Sequence, residues 1–305
     1  MLNLDRLRAL HAVATHGSLN AAAGVLNVSA SAVSQQLAKL EEEVGERLLE
    51  KRGRGIGLTD AAALLASHAE RALAVLSEAE AELDARRATV SGPLTIAAFA
   101  TAARGLAPMA LHRLIADHPA LDVAMHEIES NHSIPMLVRG GADFVIVQDW
   151  ANAPLPLPDG LSRAPLLDDV ADIALPRRHR FASRSTVSLS DLVGEPWVSW
   201  PEDSICHDWL LLTLRGYGRE PRIQHTAAEY ATQLELVNAG LGIAVLPRLG
   251  RGPVPAGVRI VRVTPALHRH VYAIWRTDAS RRTAIAAALS AFTAVANDVK
   301  GKRAR

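Results

Sequence analysis

The sequence contains a single cysteine, Cys206, among its 305 residues. One cysteine excludes an intrachain disulfide and any metal site that needs several thiolates, so we expect Cys206 to be a small buried side chain. Long apolar runs are also absent. No stretch reaches the length of a membrane span, and the first residues include Asp5, Arg6 and Arg8 instead of the apolar core of a signal peptide. We therefore expect a cytoplasmic protein with no membrane partner.

The sequence also has almost no net charge and no recognisable catalytic motif. Lysine and arginine number 33 against 32 acidic residues, a formal charge of +1, so bulk charge does not indicate a nucleic-acid-binding protein. No GxSxG, HExxH or phosphate-binding glycine loop occurs, and the 12 histidines have no metal-ligand spacing. We expect neither an enzyme nor a bound metal or cofactor.

Two short helical segments joined by a tight turn occupy residues 18–40. Ser18 is placed to cap the first helix, Asn27 to end it in the left-handed conformation, and Ser29 to cap a second helix that starts near Ala30. Apolar side chains recur at helical spacing, so each helix is expected to turn one set toward the other. The inward set is Val33, Leu37 and Leu40 of the second helix with Ala22, Val25 and Leu26 of the first.

The outward face of the second helix is small and polar. It consists of Ala30, Ser31, Ser34, Gln35 and Lys39. Serine hydroxyls and a glutamine amide at the front of a helix can enter the major groove of DNA, where glutamine bonds adenine with two hydrogen bonds. This pattern favours a recognition helix. An ordinary helical hairpin with a polar face is the alternative.

A basic, glycine-rich segment follows the two helices. Lys51, Arg52 and Arg54 stand among alternating glycines, a pattern that suits a tight strand-turn-strand. The three cations can reach DNA phosphates or the minor groove. A solvated basic loop is the alternative.

Residues 1–58 resemble the N-terminal winged helix-turn-helix of LysR-type transcriptional regulators. The matching positions are Leu7, Leu10, Val13, Gly17, Ser18, Leu19, Ala21, Ala22, Ala23, Leu26, Val28, Ser29, Ser31, Ala32, Val33, Ser34, Gln36, Leu37, Leu40, Glu41, Gly45, Leu48, Leu49, Arg52, Arg54, Leu58 and Thr59. Two positions depart from the family pattern, which usually has Phe in place of Leu49 and often Gly in place of Ala62. The resemblance implies that DNA is bound by Ser29, Ala30, Ser31, Ser34, Gln35, Lys39, Lys51, Arg52 and Arg54.

A long helix is expected within residues 59–90, capped by Thr59 and Asp60. Its apolar residues are spaced alternately four and three apart, the period of a coiled-coil seam, at Leu65, Ala69, Ala72, Leu76, Ala79 and Leu83. In LysR-type regulators the corresponding linker helix pairs with that of another subunit, so the resemblance implies a homodimer or homotetramer. Packing against the chain's own second domain is the alternative.

From residue 91 strands alternate with helices, which predicts a mainly parallel α/β sheet. This part resembles the effector-binding domain of the same family, which looks like a two-lobed periplasmic binding protein, on segments at 92–94, 118–121, 140–143, 175–176 and 237–247. We expect the domain to span 91–297, with lobe I at 91–162 and 264–297 and lobe II at 163–263. The chain is expected to cross between lobes at 161–165 and 263–265, and residues 298–305 to form a charged tail.

Ligands of open α/β sheets sit beyond the C-terminal ends of the strands. Those ends bring six candidate effector-binding residues toward the cleft: Ala100, Thr101, Trp200, Ser204, Glu229 and Tyr230. Helix starts with free N–H groups favour an anionic or carbonyl-bearing ligand, and Trp200 can stack on an aromatic ring. Each residue also has a structural alternative: Thr101 and Ser204 as helix caps, Trp200 as core and Glu229 as a solvent-facing cap.

These patterns predict a multi-domain α/β protein with a winged helix-turn-helix, a linker helix and a two-lobed sensor domain. The resemblance implies a LysR-type regulator that binds promoter DNA, responds to a small anionic or aromatic effector and works with RNA polymerase. The alternatives are an architectural DNA-binding protein whose C-terminal domain serves only assembly, and a solute-binding protein or α/β enzyme without specific DNA affinity. The sequence does not define the effector, the operator or the sign of regulation, nor whether dimers form tetramers.

Overall fold

The structure, a computed structural model, describes residues 2–26, 28–52, 55–86 and 90–303. They divide into an N-terminal unit of helices with one hairpin and a C-terminal α/β unit that starts near residue 90. Within these residues no helix is both long and apolar enough to cross a membrane.

The N-terminal unit begins with three helices: α1 (Leu4–His16), α2 (Leu19–Leu26) and α3 (Ala30–Val44). The Asn3 side chain accepts hydrogen bonds from first-turn N–H groups of α1, and Gly17 ends α1 at φ 73°, a left-handed conformation that disfavours a side chain. The Ser18 hydroxyl accepts a hydrogen bond from the Ala21 N–H at 3.2 Å, as expected of the α2 cap. Asn27, expected to end α2, lies outside the described residues.

The interface between α2 and α3 confirms most of the expected inward face. The buried side chains of these helices are Ala22, Ala23, Val33, Leu37 and Leu40. The expectation that Val25 also faces α3 was wrong, because 57% of Val25 is exposed. Val25 lies two residues beyond Ala23, about 200° further around the helix, and therefore points away from the core.

A hairpin and a long helix complete the N-terminal unit. Strand β1 (Leu49–Arg52) pairs antiparallel with β2 (Gly55–Leu58), the expected strand-turn-strand. Helix α4 (Asp60–Arg86) begins where the Thr59 hydroxyl accepts a hydrogen bond from the Ala62 N–H at 3.2 Å. At about 1.5 Å per residue, its 27 residues span about 40 Å.

The C-terminal unit alternates strands and helices along the chain. Its first part contains β3 (Gly92–Ala98), α5 (Ala100–Gly105), α6 (Ala107–Asp117), β4 (Leu121–Glu127), α7 (Ser130–Val138) and β5 (Phe144–Trp150). The middle part contains β6 (Leu161–Pro176), β7 (Thr186–Ser188), α8 (Leu189–Leu192), β8 (Pro196–Ser199), α9 (Ile205–Arg215), β9 (Arg222–Thr226), α10 (Tyr230–Asn238), β10 (Ala244–Pro247) and β11 (Val258–Thr264). The last part contains β12 (Leu267–Arg276), a 3-10 turn (Thr277–Arg281) and α11 (Thr283–Arg303).

The main sheet has eight strands and is mixed. Its order is β4-β3-β5-β12-β6-β11-β7, with β10 also paired to β6, while β8 and β9 form a separate parallel pair. β3 is parallel to β4 and β5, but β12 is antiparallel to β5 and β6, and β6 is antiparallel to β10 and β11. The expectation of a mainly parallel sheet was therefore wrong. Parallel neighbours need a crossover connection, and the long strands β6 and β12 join the lobes without one.

Strand β6 carries the chain from one lobe to the other. It pairs with β12 from Leu161 to Ala171 and with β10 and β11 from Ala171 to Pro176. The chain therefore changes partners near Ala171, farther along than the expected crossing at 161–165, because β6 is unbroken through that segment. We call the part containing α5, α6, α7, α11 and strands β3, β4, β5 and β12 lobe I, and the part containing β7 to β11 lobe II.

Lobe I has a core on each face of its sheet. Leu94, Ile96 and Phe292 belong to the core that packs α6 and α11, and Ile134 and Tyr272 to the core on the α7 face. Lobe II has its own core, which contains Trp197 and Trp209 among many aliphatic side chains. Each lobe is therefore held by its own apolar packing.

Candidate functional site

Helix α3 presents four polar side chains on one face. Ser31, Ser34, Gln35 and Lys39 are all exposed, on the side opposite the buried stripe. Helix geometry accounts for this, because these residues fall between the core positions of a 3.6-residue repeat. We call these four residues the recognition face.

Ser29 and Ala30 support the start of α3. The Ser29 hydroxyl accepts a hydrogen bond from the Ala32 N–H at 3.1 Å, which is the N-cap expected from the sequence. Ser29 Oγ also lies 2.9 Å from Ser31 Oγ, so the two hydroxyls share a hydrogen bond. Ala30 is partly buried against the core of the N-terminal unit. Among the predicted DNA-binding residues these two are therefore structural neighbours of the recognition face.

Glu41, near the end of α3, anchors the hairpin. Its Oε1 accepts hydrogen bonds from the backbone N–H groups of Leu48 at 2.7 Å and Leu49 at 3.1 Å. The Thr59 hydroxyl donates to the Arg47 carbonyl at 2.8 Å and ties the other end of the hairpin to its start. We had treated Glu41 only as a position that matches the family. Its carboxylate fixes where the hairpin leaves α3.

The predicted phosphate-binding cations belong to this hairpin. Lys51 and Arg52 lie on β1, paired in register with Ile56 and Gly55 of β2. Arg54, the third predicted cation, lies outside the described residues. The backbone thus places Lys51 and Arg52 in the strand that leads into the turn.

The predicted seam of α4 divides into two parts. Leu65 and Ala69 pack into the core of the N-terminal unit. Ala72, Leu76, Ala79 and Leu83 are exposed, Leu76 at 42% and Leu83 at 55%. The first part of the seam is therefore used within the chain, and the second part is an uncovered apolar stripe.

Thr101, in the first turn of α5, contacts a buried arginine. Its hydroxyl accepts a hydrogen bond from Arg269 Nη2 at 2.8 Å, and Thr101 itself is buried. The N-cap residue of α5 is Phe99, so Thr101 is not the helix cap. The Phe99 ring centroid lies 5.4 Å from the Arg269 guanidinium carbon. Thr101 therefore takes part in a polar contact within the C-terminal unit.

Arg269 belongs to a buried network that sequence reasoning missed. It forms an ion pair with Asp169, Nη2 to Oδ2 at 2.8 Å, and donates to Gln148 Oε1. Asp169 also accepts the Leu249 N–H at 3.0 Å, and Gln148 Nε2 donates to Cys206 Sγ at 3.2 Å. These contacts join β5, β6 and β12 to α9 and to the segment after β10. Arg269 and Asp169 are 100 residues apart in the chain, so no local pattern announces their contact.

The Glu129 carboxylate faces the start of α5. Burial and the neighbouring Glu127 raise the pKa of Glu129, and Arg269 and the Ala100 N–H offset this only in part. Ala100 is half-buried. The helix N-terminus that we expected to be open to an anionic ligand therefore has a carboxylate of the chain itself in front of it.

The remaining effector candidates lie in lobe II. The Ser204 hydroxyl caps α9 by accepting the His207 N–H at 3.2 Å. Trp200 and Tyr230 are buried and meet edge to face, with ring centroids 5.9 Å apart. Glu229 is exposed, makes no capping bond at the start of α10, and accepts a hydrogen bond from the Thr232 hydroxyl at 3.4 Å. The structural alternatives thus describe Ser204 and Trp200, and Tyr230 is the candidate nearest a cavity.

A cavity of about 150 Å³ lies between the lobes and is lined by Thr101 and Tyr230. Its cationic lining residues are Arg104 and Arg251, and the rest of its lining is apolar or glycine. The Arg104 guanidinium carbon lies 5.7 Å from the Tyr230 ring centroid, and Arg104 Nε donates to the Gly250 carbonyl. The Nη atoms of Arg104 have no hydrogen-bond acceptor within the described residues, whereas Arg251 is already paired with a carboxylate. We call this space the interlobe cavity.

Cys206 is buried in α9, as expected. Burial raises the pKa of its thiol to about 12, and the neighbouring Glu129 adds to the effect. In residues 2–26, 28–52, 55–86 and 90–303 no group of three or more His, Cys, Asp or Glu side chains is arranged to hold a metal ion.

Two family models match this chain. The bacterial regulatory helix-turn-helix protein model of the lysR family matches residues 4–63, and the LysR substrate binding domain model matches residues 87–297, more than half of the chain. The chain belongs to the LysR family of DNA-binding transcriptional regulators, with a helix-turn-helix at its N-terminus and an effector-binding domain after it.

Relatives and solved structures agree with this assignment. The hydrogen peroxide-inducible genes activator of Pectobacterium carotovorum subsp. carotovorum is 29% identical over 248 residues, covering 81% of this chain and 80% of the relative. The regulator TtuA of Agrobacterium vitis is 30% identical over 253 residues, covering 81% of each. A full-length OxyR variant from Pseudomonas aeruginosa has a TM-score of 0.72 at 21% identity, over 96% of this chain and 95% of that one. CbnR in complex with its target DNA has a TM-score of 0.61 at 20% identity, over 96% of this chain and all of that one (100%).

Proposed function

We propose that this regulator reads promoter DNA with the recognition face of α3. The observation that carries the proposal is the exposure of Ser31, Ser34 and Gln35 on one side of a helix whose other side is buried. The glutamine amide can bond adenine with two hydrogen bonds, and the hydroxyls can donate to or accept from either base pair. Lys39 and the hairpin cations supply phosphate contacts that position the helix. DNA bound in this way upstream of a gene would place the protein beside RNA polymerase.

Binding to DNA from upstream of its own gene and to random DNA of equal length tests the proposal. Gln35→Ala is expected to weaken specific binding by about 1–3 kcal/mol and leave random binding nearly unchanged. Arg52→Ala is expected to weaken both alike and to reduce the salt slope by about one. Gln36→Ala, a half-buried neighbour with the same side chain, is the matched control. Equal losses on both DNAs from Gln35→Ala would contradict base reading.

The exposed part of the α4 seam supports a dimer. Leu76 and Leu83 lie on one stripe of the helix with 42% and 55% of their surfaces exposed. A second copy of α4 would cover the stripe, and two DNA heads would then face half-sites about 34 Å apart, one turn of the double helix. A dimer also doubles the phosphate contacts of a head with little net charge.

Sedimentation of two neighbouring variants tests the seam. Leu76→Lys places a charge in the stripe and is expected to weaken dimerisation. Val75→Lys changes a residue that is 64% exposed and lies outside the predicted seam, so it is expected to have little effect. If both variants dissociate alike, the stripe is not the dimer seam.

The interlobe cavity supports a small anionic effector. Arg104 offers guanidinium N–H groups without acceptors, Tyr230 offers a ring, and none of the lining residues is acidic. A cavity of about 150 Å³ holds a ligand of about the size of benzene. We therefore favour a compact carboxylate, either aromatic or short-chained.

Thermal unfolding in the presence of benzoate, benzylamine or benzyl alcohol tests the class of effector. A ligand that binds the folded state raises the unfolding temperature, so benzoate alone is expected to do so through this cavity. Arg104→Gln is expected to abolish the benzoate effect, and Arg113→Gln, which contacts only Asp298 on the surface, to preserve it. If no carboxylate of this size stabilises the protein, an architectural role without an effector becomes the better proposal.

Peroxide, for which some relatives are named, is disfavoured as the effector of this chain. Thiol oxidation requires the thiolate, and Cys206 is buried with its pKa raised to about 12. The chain also has no second cysteine to form a disulfide with it.

A further inference from the structure

Asp149, near the end of β5, has one carboxylate oxygen without a partner. Only 7% of the residue is exposed, and its two hydrogen bonds both reach Oδ2, from the Leu155 N–H at 3.1 Å and from the Tyr272 hydroxyl at 3.1 Å. Oδ1 is buried and has no donor in the described part of the chain. A buried carboxylate oxygen without a donor costs free energy, so a donor from outside the chain would stabilise it.

Two cavities meet at Asp149. The larger has a volume of about 440 Å³ and is also lined by Arg163, Asp168, His270 and Tyr272. The smaller has a volume of about 190 Å³ and is lined mainly by apolar side chains, Trp150 and Trp209 among them. Both volumes exceed that of a benzene-sized site. Space for a small organic molecule therefore exists on either side of this carboxylate.

The walls of the two cavities are predominantly acidic. The larger has Asp149 and Asp168 against one arginine, Arg163, and the smaller has Asp149 and Asp208 with no lysine or arginine. Asp168 is bonded to His270, Oδ1 to Nδ1 at 2.8 Å, which leaves Asp149 as the buried acceptor. A ligand that completes Asp149 must donate a hydrogen bond, and a positive charge suits this surrounding field.

The smaller cavity suits the carbon skeleton of such a ligand. Trp150 and Trp209 stack with ring centroids 3.5 Å apart and planes inclined by 7°, and both rings are buried. Leu155 and Leu212 also line the cavity. An alkyl or aryl group beside these side chains is removed from water while its charged end reaches the carboxylate.

We propose that Asp149 is the anchor of a second ligand site, which binds the ammonium group of a small organic amine at Oδ1 and its carbon skeleton in the smaller cavity. This site is separate from the interlobe cavity, whose lining is cationic and shares no residue with it. The two sites take ligands of opposite charge, so the proposal does not depend on the anionic effector.

Calorimetric titration of the full chain with n-butylammonium chloride tests the site, with 1-butanol and butyrate as isosteres. We expect one butylammonium to bind per chain, 1-butanol to bind at least about tenfold more weakly, and butyrate not to compete, because a charged donor at a carboxylate adds about 1.5–3 kcal/mol. Asp149→Asn is expected to weaken butylammonium binding about tenfold or more. Asp168→Asn alters a lining carboxylate that His270 already occupies and is expected to change it far less.

Each other outcome overturns the proposal. No heat of binding at millimolar butylammonium would mean that water alone completes Oδ1. Equal affinity for 1-butanol, or unchanged affinity in Asp149→Asn, would remove the carboxylate from the site. If Asp149→Asn does not fold, the comparison of butylammonium with 1-butanol on the natural chain decides. Stabilisation by benzoate without butylammonium binding would leave the interlobe proposal standing and this one refuted.

Discussion

Arg269 and Asp169 form an ion pair in which neither side chain is exposed, with Nη2 2.8 Å from Oδ2. Asp169 also holds the Leu249 N–H, and Arg269 also holds Thr101 and Gln148. The pair thus stands where the strands that join the lobes meet the first turn of α5. The remaining hydrogen-bonding capacity of both charges is largely used by these neighbours, as burial of an ion pair requires.

Removal of one partner of this pair is expected to be strongly destabilising. Arg269→Met leaves Asp169 buried without its counter-charge, at an expected cost of about 3–5 kcal/mol. Urea unfolding followed by tryptophan fluorescence measures the loss, since all five tryptophans lie in the C-terminal unit. Arg215→Met removes an ion pair of similar length, 2.6 Å, but one that is exposed, and is expected to show no measurable change. Equal losses in both variants would contradict this account.

Gly250 is expected to tolerate no side chain. Its φ is +64°, and a Cβ there would lie 2.4 Å from the Thr101 carbonyl oxygen. Gly218 has a similar φ of +77° but open space around it, so Gly218→Ala should cost only the backbone strain of about 1–2 kcal/mol. Gly250→Ala must also move the segment away from Thr101. We expect a clearly larger loss of thermal stability, and a loss no larger than that of Gly218→Ala would show that the segment yields freely.

Cys206 is expected to resist alkylation in the folded protein. With the thiol pKa raised to about 12, only about one molecule in 10⁴ carries the thiolate at pH 8, and burial adds a steric barrier. Iodoacetamide labelling followed by mass spectrometry should be slow in buffer and rapid in urea. Rapid labelling of the folded chain would contradict the structure and reopen peroxide as an effector.

Asp172 is expected to contribute stability at neutral pH and to lose it in acid. Burial opposes ionisation of this carboxyl, but hydrogen bonds and charges from Arg248 and Arg251 outweigh burial and lower its pKa below the ordinary 3.8. A lowered pKa stabilises the fold above the ordinary value, and this contribution disappears as pH falls through the folded-state value.

The variant Asp172→Asn should therefore be less stable than the natural chain at pH 7, with a difference that shrinks below pH 3.8. Urea unfolding at a series of pH values measures this difference. Asp117→Asn, at an exposed position, is the control and should show no such trend. A difference that is independent of pH would assign the effect to packing instead.

The N-terminal unit was largely predictable because its determinants are local. Ser18 and Ser29 cap their helices as expected, and Leu37 lies inward at helical spacing. Val25 was misplaced because a short helix offers two apolar stripes, and only the position of the neighbouring helix selects one. The hairpin was predictable from its glycines, but its attachment through Glu41 was not.

The candidate effector site was predictable only in outline. Thr101 and Tyr230 do line a cavity between the lobes, yet Arg104, which has the free donors there, was not among the predicted residues. Trp200 and Ser204 serve in core and cap, and Glu129 approaches the helix start that was assigned to a ligand. Burial and charge at a cleft depend on how two lobes meet, which strand-end rules do not describe.

The sequence by itself determined what depends on neighbours within a few residues: the caps, the helical faces, the recognition face and the family. Only the tertiary structure decided which distant residues meet, such as Arg269 with Asp169, Tyr272 with Asp149, and β6 with β12. The physical reason is range. Helix geometry and turn preferences act over three or four residues, whereas burial, pairing of charges and the shape of a cavity exist only after segments about a hundred residues apart have packed together.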